Sequence, residues 1–261
     1  MGKIINKYDR IGETSISKEG YEMKIIEYID ARHILIEFQD EHKTRLMCQY
    51  GDFKCRKNIK NPYHPAVYKI GYLGQGKYNK KNYQRIYWTW KDMLRRCYSE
   101  EYLKREPSYR GCCVCEEWHN FQNFAKWYEE NYYEVENQRM HLDKDILVKM
   151  NKTYSPQTCI FVPQIINSLF ITSKAIRGEY PIGVSRKQNK LIVQINKYDE
   201  NMKKSKYTMI KKFEIEEVNE AFFCYKTEKE NEIKKRADLF KEYIPKKLYN
   251  ALYKYKIEIT D

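Results

Sequence analysis

The sequence predicts an α+β fold built from small separate sheets, and three patterns carry that prediction. Short alternating runs near the amino terminus read as strands, apolar residues recur at helical spacing from Ile86 to Cys97, and a period of two returns beyond Arg177-Gly178. At 261 residues the chain is long enough for one large domain or two to three small ones. The pattern changes divide it into a small β-barrel-like module over 1–65, a central module over 66–175 and a sheet-plus-helix module over 176–261.

Taken in order, MKIIEYI, HILIEFQ and TRLMCQY are separated by polar turns at Asp30-Ala31-Arg32 and Asp40-Glu41-His42, which suggests a small antiparallel barrel or curled sheet. The prolines and glycines from Asn61 to Gly76 mark a linker. Ile86, Trp90, Met93, Leu94 and Cys97 then give an amphipathic helix whose other face holds Lys91, Arg95 and Arg96. A second helix follows Asn120 as its cap and buries Phe121, Phe124 and Trp127. His119, beside Trp118 just before it, has the context of a packing and capping residue.

From Met140 to Phe170 the pattern is strand, polar loop, strand, helix. His141, Asp143 and Asp145 alternate and so share one face of the first strand. The loop closes at Tyr154-Ser155-Pro156, the second strand covers Cys159 to Val162, and a helix starting near Pro163 carries Asn167. PIGVSRK, KLIVQINK and KYTMIKKF read as three further strands, followed by a long helix from about Ile215 to Tyr243 and a packing helix after Pro245.

Charge narrows the partner. The formal net charge is +13 and 15% of residues are aromatic, so an acidic partner is expected, with nucleic acid first. Between Lys77 and Tyr98 seven Lys or Arg stand against one acid and are interleaved with aromatics, a combination suited to phosphates and unpaired bases. Between Lys174 and Lys212 eleven Lys or Arg stand against three acids, on strands and turns. Arg186, Lys187, Lys190, Lys197, Lys203, Lys204, Lys206 and Lys211 are the expected DNA contacts, mainly to phosphates.

No apolar run approaches the roughly 20 residues of a spanning helix, and MGKIINKYDR has no apolar signal core. A reducing cytoplasm is therefore expected, with eight cysteines as free thiols. Structural zinc is not expected around Cys112, Cys113 and Cys115.

The runs WKDMLRRCY, GCCVCEEWHNFQNFAKWY and HLDKDILVKMNKTYSPQTCIFVPQIINSLF resemble the HNH-type homing endonucleases of bacteriophages and mobile elements. The segment from Pro181 to about Phe240 is similar to the Apetala-type DNA-binding domain that often follows such a nuclease module. The resemblance implies a ββα-metal module, Mg²⁺ or Mn²⁺ held by Asp143 and Asn167, and duplex DNA as substrate in a bacterial cell.

The resemblance also has departures. The histidine expected after the metal-binding Asp is Lys144, and the central Asn of the motif falls on Thr158. An ordinary lysine, with a pKa near 10.4, is protonated at neutral pH, so Lys144 is assigned to phosphate neutralisation and His141 to activation of water. Met150 stands where such a loop would often supply glycine. The alternatives are a catalytically degenerate DNA-binding regulator and an anti-defence protein that binds host proteins on the same scaffold.

Overall fold

The computed structural model describes residues 10–56, 58–170, 179–200, 204–259 and 261. The chain is α+β and forms two compact units, Met1–Glu130 and Asn131–Asp261. No helix among the described residues is long and apolar enough to cross a membrane.

In the first unit, β1 (Thr14–Ile16), β2 (Glu22–Asp30), β3 (His33–Phe38) and β4 (Arg45–Cys48) form an antiparallel sheet in that order. The expected turns close through side chains: Asp30 accepts the N–H groups of Arg32 and His33 at 2.7 and 2.9 Å, and Asp40 those of His42 and Lys43 at 3.2 and 3.1 Å. Alternation sends Met23, Ile25, Ile34, Ile36 and Phe38 to one face, where Phe53 and Ile59 complete an apolar core. Phe53 comes from α1 (Tyr50–Cys55), a helix that begins where the third alternating run was expected to continue as strand.

The expected linker is a packed segment. Gly71 lies so close to Trp90 and Leu94 that a Cβ would collide with both, and buried Asn61 donates to Asp40 at 2.6 Å. The amphipathic helix is α2 (Gln84–Tyr98), which buries Ile86, Tyr87, Trp90, Met93, Leu94 and Cys97. Ser99 ends it and caps α3 (Glu100–Arg105) by accepting the Tyr102 N–H at 3.3 Å. At the start of α4 (Phe121–Asn131), Asn120 accepts the Gln122 N–H at 3.0 Å.

In the second unit, β5 (Met140–Asp143) and β6 (Ile160–Pro163) pair antiparallel, and α5 (Gln164–Asn167) packs against both. A separate antiparallel sheet has the order β9-β8-β7, where β7 is Val184–Lys187, β8 is Lys190–Asp199 and β9 is Lys204–Phe213. Across it lies α6 (Val218–Leu239), followed by α7 (Lys246–Lys254). Gly183 enters β7 at φ +75° against the Tyr225 ring, a position with neither the backbone freedom nor the space for a side chain.

Within the second unit the hairpin and the sheet share one core. Ile160, Val162 and Ile166 belong to the same cluster as Leu191, Val193, Ile195 and Ile233. Arg236 on α6 adds a polar tie. Its side chain is 0% exposed and donates to Ile165 O and Asn196 O, each at 2.6 Å, and to Glu232 at 2.8 Å. Glu232 in turn accepts the Tyr198 N–H at 2.9 Å. β7 pairs with β8 only over Lys190 to Val193, so this ion pair satisfies the β8 edge that β7 leaves open.

Candidate nucleic-acid interface

The three-stranded sheet has two chemically distinct faces. Leu191, Val193 and Ile195 of β8 point into the core, so the alternate residues Ile192, Gln194 and Asn196 point away from α6. Cross-strand register then puts Lys187, Lys190, Tyr207, Met209 and Lys212 on that outer face. The register shift between Val193 and Gln194 leaves Ile210 of β9 as the extra, unpaired residue of a bulge. Tyr207 is 70% exposed and Met209 50% exposed.

The expected DNA contacts divide between the faces. Lys187 and Lys190 are on the outer face, joined by Lys212, which the expected set omits. Arg186, Lys197, Lys204, Lys206 and Lys211 have the helix-side parity and lie around the rim. Lys203 lies outside the described residues. Three salt bridges quiet part of this charge: Lys190 pairs with Glu214, Lys197 with Glu228 at 3.0 Å, and Lys235 of α6 with Glu200 at 2.9 Å. Arg186, Lys187, Lys204, Lys206, Lys211 and Lys212 have no acidic partner among the described residues, and four of these six lie on the edge strand β9.

The strand-loop-strand-helix segment is also well ordered by its own side chains. His141 and Asp143 are on β5 opposite Val162 and Ile160, whereas Asp145 lies beyond the strand end and so does not continue their alternation. Asp143 Oδ1 accepts the N–H groups of Asp145 and Ile146, both at 2.8 Å, and so holds the start of the loop. Burial is the largest influence on Asp143 and raises its pKa above the ordinary carboxylate value, despite those two hydrogen bonds.

Lys144 is buried. Its ammonium donates to both Asp145 carboxylate oxygens at 2.6 and 2.7 Å and to Asn151 O at 3.0 Å, while Asn151 Nδ2 returns a bond to Lys144 O at 2.8 Å. This reciprocal clasp closes the loop and spends the Lys144 charge within it. Thr158, in the position of the motif Asn, hydrogen-bonds across the loop to Thr153 O at 2.7 Å and to Ser155 Oγ at 2.9 Å. Met150 has φ +60°, the left-handed conformation that glycine adopts freely.

Asp143 and Asn167 are the pair expected to hold Mg²⁺ or Mn²⁺. One oxygen of Asp143 is committed to the backbone, and its carboxyl is buried. Asn167 ends the four-residue α5, and no hydrogen bond joins its amide to Asp143 among the described residues. No group of three His, Cys, Asp or Glu side chains suited to a metal occurs among the described residues. In the first unit, His119 Nε2 lies 3.1 Å from Val114 O, a packing contact. No family model, curated protein or solved structure matches the chain.

Proposed function

We propose that this protein binds DNA through the outer face and the β9 edge of its C-terminal sheet, without metal-dependent chemistry at the hairpin. The observation that carries the reading is a row of cations lacking acidic partners among the described residues, set beside exposed Tyr207 and Met209 on the sheet. Lysine and arginine neutralise phosphates and release counterions, whereas exposed Gln194 supplies an amide suited to base edges. The hairpin, α5 and α6 support the sheet through the shared core and Arg236.

Duplex binding followed by fluorescence anisotropy at several salt concentrations tests this reading. The expected result is affinity that falls steeply with salt and is unchanged by a chelator. A log-affinity against log-salt slope near zero contradicts it, because each neutralised phosphate contributes about −0.9.

The competing reading is an HNH-like endonuclease, favoured by the antiparallel hairpin backed by a helix that packs on both strands. It requires nicking of supercoiled plasmid with Mg²⁺ or Mn²⁺ that is lost in Asp143→Ala. The expected result here is equal background for both proteins.

A further inference from the structure

The basic and aromatic window around α2 has a structural outcome that the sheet does not absorb. Tyr78, Tyr87 and Trp90 are buried in their own unit, but Trp88 is 53% exposed. Gln84, Trp88 and Lys91 follow one another along a single helix stripe. Lys91 Nζ lies 5.1 Å and Lys80 Nζ 5.8 Å from the Trp88 ring centroid. Asp92 is the one acid in the window, and it is engaged by Arg95 and, at 2.7 Å, by Arg96. Lys80 and Lys91 have no acidic partner among the described residues.

We infer that Trp88, flanked by Lys80 and Lys91, is a second nucleic-acid contact, one that takes an unpaired strand by stacking a base on the indole. An indole offers a π face to any base, and the two ammonium groups sit within side-chain reach of the phosphates on either side of a stacked nucleotide. A rigid duplex hides its base faces, so the chemistry selects single strands. The contact does not rest on the C-terminal sheet, which belongs to the other unit.

Trp90 and Trp118 are fully buried and Trp127 is 8% exposed, so emission that an added ligand can quench by contact belongs to Trp88. Titrating the full chain with oligothymidylate is expected to give saturable quenching, absent in Trp88→Leu. That variant should bind a labelled oligothymidylate roughly ten-fold more weakly, the loss that one stacked base implies. Helix content should be unchanged, since position 88 is exposed. The quenching should persist in a Lys187→Ala/Lys206→Ala/Lys212→Ala protein, which separates this contact from the sheet. Unchanged emission, equal binding by Trp88→Leu, equal quenching by inorganic polyphosphate, or loss of quenching in the sheet variant would each overturn the inference.

Discussion

The two larger antiparallel sheets solve the same folding problem with opposite surfaces. From 14 to 48 the N-terminal sheet region has five Lys or Arg against seven Asp or Glu, and from 184 to 213 the C-terminal one has nine against two. The first neutralises itself locally, as in Arg45 with Glu37 at 2.9 Å, and buries no charged side chain among the described residues. The second leaves cations without acidic partners among the described residues and places a buried Arg236–Glu232 pair beneath. Similar sheets therefore carry different surfaces: the C-terminal one bears a large positive excess and the N-terminal one does not.

The largest effect should come from the buried pair. Arg236→Leu strands the Glu232 carboxylate and the carbonyls of Ile165 and Asn196, and should destabilise the second unit by ~3–5 kcal/mol in chemical denaturation. A loss below about 1 kcal/mol would mean that the pair is incidental to the sheet.

Lys229 should show the opposite sign. It is buried on α6, and burial first, then the charge of Arg236, pulls its ammonium down to about 8. A depressed base binds fewer protons folded than unfolded, so stability should rise as pH increases from about 8 toward 10.5, its ordinary value, and be lost as pH falls through about 8. Lys229→Met should remove that dependence and stabilise the protein at neutral pH by at most about 3 kcal/mol. A flat wild-type profile over this window would refute the assignment.

In the N-terminal sheet Ile36→Val removes one methylene from an apolar core and should cost about 1 kcal/mol, with DNA affinity unchanged. An accompanying loss of affinity would break the contrast between the sheets. Met150→Gly should stabilise the second unit by about 0.5–1 kcal/mol by relieving a left-handed residue, measured by thermal denaturation.

The sequence announced long periodic elements and missed features that depend on tertiary partners. The two ten-residue C-terminal strands and the helices after Tyr83 and Asn120 were legible because each repeats its period over many residues. β1 has only three residues, and α1 follows a strand without a breaker, so neither has room to display a period. Loop glycines suggested a linker, yet Gly71 is there because Trp90 and Leu94 leave no space.

The candidate site was legible in part. Alternation placed His141 and Asp143 together, but it could not show Asp143 Oδ1 spent on backbone N–H groups or Lys144 spent on Asp145. Arg236 was hidden because Glu232 and Arg236 at four-residue spacing look like an ordinary surface pair. A usable signal was present: Tyr225, Lys229, Glu232 and Arg236 extend the stripe on which Phe222 and Ile233 are apolar. Met150 was the reverse case, since its loop context called for glycine and its φ is that of one.

The most direct test of the proposed interface is the salt dependence of duplex affinity for wild type and for Lys187→Ala/Lys206→Ala/Lys212→Ala, beside a control in which the acid-paired Lys190 and Lys197 become Ala. The slope should become shallower by about 2 to 3 in the triple variant, near 0.9 per lost phosphate contact, and change less in the control. An unchanged slope in the triple variant would contradict the account.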